Sequence, residues 1–196
     1  MARPKAPDYD AQRARLLAQA TEVIAEQGYA SASMSALAQA CGTSKAGLYH
    51  YFPSKNALLF ESLDRYTRRL ARCLDAVCLQ GLSPHEELEA MVRALLREYR
   101  DSRAHHIALL NDVKFLDAAQ REQIVAQERA IVDVVAQCLA RVNPQRFGGV
   151  QRTPTTMALL SMLNFTFAWL KPDGPMSYEQ YADLVIGLWH HGLAQA

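Results

Sequence analysis

One short stretch near the amino terminus gathers side chains that are suited to contact a polyanion. It runs from Gly42 to Lys55 and reads GTSKAGLYHYFPSK, with two lysines, several aromatic rings and one imidazole. Tyrosine hydroxyls, imidazole N–H groups and lysine ammonium groups all donate hydrogen bonds to phosphate oxygens. The rings could instead pack in a core or form a ligand cage, so the elements around them must decide between these interpretations.

The start of this stretch favours a surface that binds DNA. Ser44 is placed to cap a helix, and Lys45, Ala46 and Gly47 follow it. At a helix N-terminus the backbone N–H groups and the positive end of the helix dipole face outward. Small side chains let a backbone approach a groove wall, and Lys45 can reach a base edge or a phosphate. A helix packed only for stability has no need of these residue types.

The elements that position these residues are predicted to be helices. Apolar residues recur at helical spacing almost throughout, and no segment sustains the alternation of a strand. We predict helices over residues 9–27, 33–41, 44–52, 54–77, 84–101, 103–115, 117–142, 154–171 and 177–194. The longest loop is expected at Asn143-Pro144 and Gly148-Gly149. The fold class is therefore all-α, with a three-helix N-terminal unit to residue 53 and a larger helical domain over 54–196.

The second and third predicted helices have the pattern of a helix-turn-helix. They are short, and Gly42 between them supplies the left-handed backbone of a tight turn. Four residues are placed to pack inward: Leu37, Cys41, Leu48 and Tyr51. Ser33, Ser44 and Ser54 are expected to cap the three successive helices, and Pro53 disfavours helical backbone at Phe52.

Composition restricts the function classes only broadly. The net charge of +1 gives no sign of nucleic-acid or membrane binding by the chain as a whole, although residues 1–70 carry nine basic and six acidic side chains. The four cysteines form no CxxC pair and no signal peptide is recognisable, which indicates a reducing cytoplasm. No apolar run reaches the ~20 residues that span a bilayer, so we expect no membrane partner.

The run from Gly28 to Leu59, GYASASMSALAQACGTSKAGLYHYFPSKNALL, closely resembles the DNA-binding domain of TetR/AcrR-type transcriptional regulators. It departs from the family at Ala32, where members often carry threonine. The resemblance implies a DNA-contact set that comprises Ser33, Ser35, Ser44, Lys45, Ala46, Gly47, Tyr49, His50, Tyr51 and Lys55. Lys45 and Ala46 would face bases, and the aromatic residues with Lys55 would hold phosphates. Residues 1–8 would form a flexible basic tail, in which Arg3 and Lys5 enter the minor groove or are simply solvated.

The same resemblance implies a homodimer, because one recognition helix covers only one half-site, and two-fold symmetry places two such helices ~34 Å apart on the DNA. The two C-terminal helices are the expected dimer face, since apolar residues cover much of their circumference. Burial of these helices within one chain is the alternative.

Between these regions the family has a ligand-binding domain, and an effector pocket is expected among the middle helices. The candidate lining residues are Tyr99, His105, His106, Leu109, Asn111, Asp112, Phe115, Asn164, Phe165 and Trp169. The segment WLKPDGPMSYEQYADLVIGL resembles a subset of these regulators, some of which respond to acyl-CoA thioesters. Arg93, Arg97, Arg100 or Arg103 would then meet a CoA phosphate.

These patterns predict a ligand-responsive regulator, most simply a repressor, that leaves a palindromic double-stranded operator when a small hydrophobic or acyl-CoA-type effector binds. No cofactor and no metal are expected, because neither histidine pair resembles a metal cluster and His85-Glu86-Glu87-Leu88-Glu89 lacks the second histidine of a zinc protease. A helical enzyme or an adaptor without DNA binding is the alternative. No GxSxG, P-loop, GxGxxG or CxxC motif supports an enzyme.

Overall fold

The computed structural model describes residues 8–171 and 173–194, with side chains described up to residue 190. The tail residues Arg3 and Lys5 lie outside this range. The described residues form helices and no strands: α1 (Tyr9–Gln27), α2 (Met34–Ala40), α3 (Lys45–Tyr51), α4 (Lys55–Cys78), α5 (Pro84–Asp101), α6 (Arg103–Asp112), α7 (Ala118–Val142), α8 (Pro144–Phe147), α9 (Arg152–Asn164), α10 (Thr166–Trp169) and α11 (Tyr178–Ala194). Two 3-10 turns, Val113–Phe115 and Gly149–Gln151, complete the set. The all-α prediction is confirmed.

The chain forms two compact units. The first contains the residues up to Tyr66 together with Ala104–Ile124, and the second contains Thr67–Arg103 together with the chain from Val125 onward. The division therefore falls within α4, after the first residue of α6, and within α7. The division into domains 1–53 and 54–196 follows expected role rather than compactness and stays a prediction.

In the first unit, α1, α2, α3 and the start of α4 share one apolar core. Leu16, Leu37, Leu48 and Leu63 are each 0% exposed at its centre. Buried hydroxyls add a polar link, since the hydroxyls of Thr21 on α1 and Ser62 on α4 lie 2.8 Å apart. A seven-residue helix such as α3 cannot stand alone, so this core holds it in place.

The predicted caps and turn of the first unit are confirmed. The side-chain oxygens of Ser33, Ser44 and Ser54 accept hydrogen bonds from the N–H groups of Ala36, Gly47 and Ala57 at 3.1, 2.9 and 3.0 Å. Gly42 has φ +62°, the left-handed conformation that the turn requires. Phe52 is extended before Pro53 and ends α3.

In the second unit, α5 packs against α11 and α9. A capping box starts α5, in which Ser83 Oγ accepts from the Glu86 N–H and the Glu86 carboxylate accepts from the Ser83 N–H. Buried Glu87 is paired with Arg141 of α7 at 2.6 Å. Among the described helices, none combines the length and apolarity that crossing a bilayer requires.

Two predicted boundaries were wrong. The expected loop after α7 contains α8, because Asn143 Oδ1 accepts from the Arg146 N–H and Pro144 occupies the first helical position. The helix expected over 154–171 is interrupted at Phe165, which separates α9 from α10. Beside this break the Thr166 hydroxyl donates to the Leu163 carbonyl at 2.7 Å.

Candidate nucleic-acid interface

The N-terminus of α3 is presented to solvent, as the sequence predicted. Ser44, Lys45 and Ala46 are exposed, while Leu48 one turn later is 0% exposed and fixes the helix to the core. Gly47 is packed closely, because a Cβ at this position would lie 2.6 Å from Thr43 Oγ1 and 3.2 Å from Ser44 Oγ. The start of α3 is thus narrow and cationic, and a surface of this shape can enter a DNA groove.

The aromatic residues of α3 divide between two environments. Tyr49 is 43% exposed, and His50 is also exposed, so both can donate to a phosphate. Tyr51 is half-buried and packs against Tyr9 of α1, with ring centroids 4.8 Å apart. His50 meets the Tyr9 ring edge-on at 5.9 Å. Tyr51 is therefore less buried than predicted. The buried aromatic side chain at the end of α3 is that of Phe52, which is 1% exposed.

The start of α2 offers a second exposed edge. Ser33 and Ser35 are both exposed, and the Ser33 oxygen is already used as the helix cap. Ala32 is 0% exposed. The alanine that stands here in place of the family's frequent threonine therefore alters the interior and not the surface. The backbone-contact roles of both serines stay predictions.

Lys55 has an intramolecular role that the sequence did not indicate. Its Nζ donates to the carbonyl oxygens of Tyr29 at 2.6 Å and of Ala32 at 2.7 Å. The same ammonium lies 4.2 Å from the centre of the Tyr29 ring, where cation–π attraction adds to the hydrogen bonds. Lys55 thus ties α4 to the loop between α1 and α2, and its predicted phosphate contact has to compete with these bonds.

A cluster around Tyr29 connects this loop with the end of α6, and no pattern in the sequence predicts it. The Phe115 ring stacks on Tyr29, and Asn56 Nδ2 donates to the Phe115 carbonyl at 2.9 Å. Burial raises the pKa of the Tyr29 hydroxyl, against a lowering by its hydrogen bond with Asn56. Burial also raises the pKa of Asp112, against lowering by Lys114 and by a hydrogen bond from the Tyr29 backbone.

The residues predicted to line one effector pocket fall in both compact units. In the first unit, His106, Leu109 and Asp112 are buried, and His106 Nδ1 lies 3.2 Å from Tyr66 Oη. Half-buried His105 lies beside the same tyrosine ring. Asn111 is exposed and donates to a carbonyl of its own helix, and Phe115 is 38% exposed.

In the second unit, buried Tyr99 donates from its hydroxyl to Asn164 Oδ1 at 2.8 Å. Burial raises the pKa of that hydroxyl well above its ordinary range. Phe165 and Trp169 are 63% and 48% exposed. Two pockets in this unit are lined by other residues: one near His85, Phe147 and Trp189, the other beside Arg93, Arg97 and Tyr178. None of the predicted residues lines either, so the proposal of one pocket formed by them gains no support.

Ion pairs join α5 to α11 on one edge of the second unit. Arg93 pairs with Asp183 at 2.7 Å, and Arg100 pairs with Glu179 at 2.5 Å. As the residue number rises along α5 it falls along α11, so the two helices are antiparallel. These two arginines are therefore largely neutralised and are poor receptors for a phosphate.

The other two arginines considered for a CoA phosphate differ from each other. Arg103 donates to the Phe167 carbonyl at 2.9 Å. Arg97 is exposed and lines a pocket together with Leu96 and Ala182. Arg97 is thus the better placed of the four for an anionic ligand.

The expected dimer helices expose an apolar surface. Its large side chains are 44–63% exposed and comprise Met157, Phe165, Trp169, Leu184 and Leu188. On α11, Leu184 and Leu188 are four residues apart and so share one face of the helix. This face is distinct from the one that carries Glu179 and Asp183. Large exposed apolar side chains of this kind are typical of surfaces that bind a partner.

Two family models match the chain. The model for "Tetracyclin repressor-like, C-terminal domain" matches residues 81–193, and the model for "Bacterial regulatory proteins, tetR family" matches residues 16–61. The HTH-type transcriptional repressor KstR of Mycobacterium tuberculosis (strain ATCC 25618 / H37Rv) is 28% identical over 132 residues, which are 67% of this chain and 60% of that protein. The chain thus spans less than two thirds of this curated relative.

Solved structures are similar over nearly the whole chain. A TetR-family transcriptional regulator from Bordetella parapertussis 12822 is 28% identical with a TM-score of 0.90, covering 96% of this chain and 98% of that one. AibR, solved in complex with isovaleryl coenzyme A and operator DNA, is 27% identical with a TM-score of 0.81, covering 90% of this chain and 97% of that one.

Proposed function

The chain belongs to the TetR family of bacterial regulatory proteins, whose members are transcriptional regulators and not enzymes, and on this premise we propose that it is a ligand-responsive repressor. It binds a palindromic operator as a homodimer in the cytoplasm, and a small hydrophobic or acyl-CoA-type effector releases it. Family membership sets aside the alternatives of a helical enzyme and of an adaptor without DNA binding.

The exposed N-terminus of α3 is the observation that carries the DNA-binding part of this proposal. Lys45 and Ala46 are presented outward from a helix whose other side is fixed by Leu48. A lysine here can bond to guanine O6 or N7, and alanine can contact a thymine methyl group. Tyr49 and His50 are exposed further along the helix and hold phosphates.

The apolar surface of α9, α10 and α11 supports dimerisation. A second copy of the same surface would cover Phe165, Trp169 and Leu188, which are otherwise exposed to water. Two-fold symmetry then presents two α3 helices to half-sites ~34 Å apart. The homodimer is also what a palindromic operator requires, because each protomer supplies one recognition helix.

An acyl-CoA-type effector is supported by the similarity to AibR, whose solved complex contains isovaleryl coenzyme A. Arg97 is the residue of this chain that we assign to the anionic part of such a ligand. Calorimetry with a panel of CoA esters tests the assignment, and absence of binding at millimolar ligand would exclude the effector class.

Ligand binding has to alter the position of α3 to release DNA. The tilt of α4 sets the half-site spacing, since α4 follows α3 directly and carries Lys55 and Asn56 at its start. A ligand that favours one tilt shifts the equilibrium only by its differential affinity for the two states. Asn56 and Tyr29 both contact Phe115, so a movement at the end of α6 reaches the DNA-binding helices through them.

The direct test is an electrophoretic shift with the DNA that flanks the protein's own gene, repeated over a range of salt concentrations. Specific binding should weaken steeply as salt rises, because the counterions released from the DNA are recaptured. The competitor is unrelated DNA of equal length. Equal affinity for both DNAs at every salt concentration would contradict the proposal.

A further inference from the structure

Three rings from two helices meet beside the exposed face of α3. Tyr9 is the first residue of α1, and its ring centroid lies 4.8 Å from that of Tyr51 and 5.9 Å from that of His50. The rings of His50 and Tyr51 are 5.2 Å apart. Each ring therefore contacts the other two, and the cluster ties the start of α1 to the last turn of α3.

The imidazole of His50 stands across both tyrosine rings. Its plane is inclined by 83° to the ring of Tyr9 and by 82° to that of Tyr51, while the two tyrosine rings are inclined by 31° to each other. Edge-to-face contact is a favoured geometry for aromatic rings. Rotation of the imidazole into another rotamer would break both contacts, so the two tyrosines together restrict its orientation.

His50 is the exposed member of this cluster, whereas Tyr9 and Tyr51 are half-buried. An exposed side chain samples several rotamers and loses that freedom when it binds a partner. A side chain that is already held in one orientation binds without this entropic cost. The two tyrosine rings therefore prepare the His50 imidazole for an intermolecular contact.

Tyr9 lies at the end of α1 and outside the core that holds this helix. The residues of α1 that are buried in that core begin about two turns later, at Leu16. Asp8, which precedes Tyr9, makes no side-chain capping hydrogen bond to the first turn. Removing the Tyr9 ring should therefore free the imidazole and leave the core of the first unit intact.

We propose that Tyr9 is a positioning residue for DNA binding. With Tyr51 it holds the His50 imidazole in the orientation from which an N–H group donates to a phosphate. The inference rests on the proposed function, in which His50 contacts a phosphate, and it adds a residue of α1 to that contact. Tyr9 acts through His50 and needs no contact of its own with the DNA.

A double-mutant cycle on operator DNA tests this coupling. Tyr51→Phe, which keeps the ring and removes its hydroxyl, is the common background, so that a phosphate contact from that hydroxyl cannot contribute. In this background Tyr9→Leu should weaken operator binding about two- to tenfold, the cost of ordering one side chain on binding. Added to His50→Ala, it should cause no further loss. Tyr9→Phe keeps the ring and should bind like the background.

A measurement without DNA follows the imidazole itself. The chain has six histidines, and loss of one set of signals in His50→Ala identifies the His50 ring in a proton–carbon NMR spectrum. Tyr9→Leu should shift these signals, because a neighbouring aromatic ring is lost, and Tyr9→Phe should leave them close to their original positions. Unshifted His50 signals in Tyr9→Leu would overturn the inference.

The outcomes of the cycle separate the inference from the proposed function. A wild-type protein that does not prefer operator over unrelated DNA would overturn both. If the wild type prefers operator, an equal loss from Tyr9→Leu with and without the imidazole would overturn the inference alone, as would no loss at all. Circular dichroism verifies that Tyr9→Leu is folded. An unfolded variant would show that Tyr9 holds the fold rather than the imidazole, and would also overturn the inference.

Discussion

Phe115 stacks on Tyr29, with ring centroids 4.9 Å apart and planes inclined by 25°. The first ring follows α6 and the second follows α1, so the contact joins two segments that are distant in the sequence. Lys55 lies on the same tyrosine ring and on its carbonyl. Tyr29 is therefore the residue through which the loop before α2, the start of α4 and the end of α6 are held together.

Removing the stacked ring should loosen this junction. We expect Phe115→Ala to lower the free energy of unfolding by about 1–2 kcal/mol, because a partly exposed aromatic pair is lost. Leu110→Ala is the matched control, since Leu110 is 39% exposed on α6, close to the 38% of Phe115. Urea denaturation measures both. Equal losses in the two variants would mean that the stack adds nothing beyond ordinary burial.

The two roles of Lys55 can be separated by measuring stability and salt dependence together. Lys55→Ala should cost about 1–3 kcal/mol of stability, because the carbonyls of Tyr29 and Ala32 lose their donor. If the ammonium also contacts a phosphate, specific and non-specific DNA binding should weaken alike. The slope of log K against log salt should then fall in magnitude by about 1. An unchanged affinity and slope, measured where the variant is folded, would refute the phosphate role.

Lys45 should govern which operator is chosen. We expect Lys45→Ala to cost about 1–3 kcal/mol on the natural operator and to relax preference at one base pair of each half-site. Arg72→Ala, an exposed change on α4, serves as the control for loss of one positive charge. Competition binding against single-base operator variants provides the measurement. A uniform loss on all sequences would assign Lys45 to the DNA backbone instead.

Gly47 is constrained by its neighbours as well as by any approach to DNA. Gly47→Ala should lower stability, because its Cβ would meet Thr43 Oγ1 at 2.6 Å. In a Thr43→Ala background the same change should cost less, since that oxygen is gone. If DNA binding stays weakened in the double variant while its thermal unfolding recovers, Gly47 is also needed for close approach to the groove. Full recovery of both would assign it a packing role alone.

The dimer proposal predicts that one charge on the apolar surface separates the protomers. Leu188→Glu should yield monomers in sedimentation velocity and weaken operator binding at least about a hundredfold, because both half-sites must be held together. Leu79→Glu adds the same charge at a residue that is 87% exposed near the end of α4, and it should have neither effect. A Leu188→Glu protein that remains dimeric would place the interface elsewhere.

Local signals predicted much of the DNA-binding half. The bounds of α1, the three serine caps and the turn at Gly42 follow from residue types and short spacings, and the structure agrees with them. The cap that starts α8 at Asn143-Pro144 is a signal of the same kind, although we predict a loop at these residues. The break between α9 and α10 at Phe165 contains no proline or glycine, so residue types could not predict it.

Contacts between distant segments were beyond the reach of sequence reasoning. Lys55 was assigned to phosphate from its residue type, although its partners Tyr29 and Ala32 lie more than twenty positions away. The pocket at His85 joins residues from four helices, and its histidines were considered only as metal ligands. Residue types predicted which roles a side chain could have. Which neighbours it contacts is determined by the packing of the folded chain.

The contact between the antiparallel helices α5 and α11 holds them in one register. Two ion pairs cross it in order, Arg100–Glu179 and Arg93–Asp183, and further along Glu89 lies 3.1 Å from His190 Nε2. Each surface pair alone is worth little, but a slip of one turn in one direction would set Asp183 against Glu89. A slip the other way would move Glu179 past Arg100 and beyond the end of α5 at Asp101. The helix that carries Leu184 and Leu188 is thus discouraged from sliding along its neighbour, and its motions between conformations should be rotations and tilts.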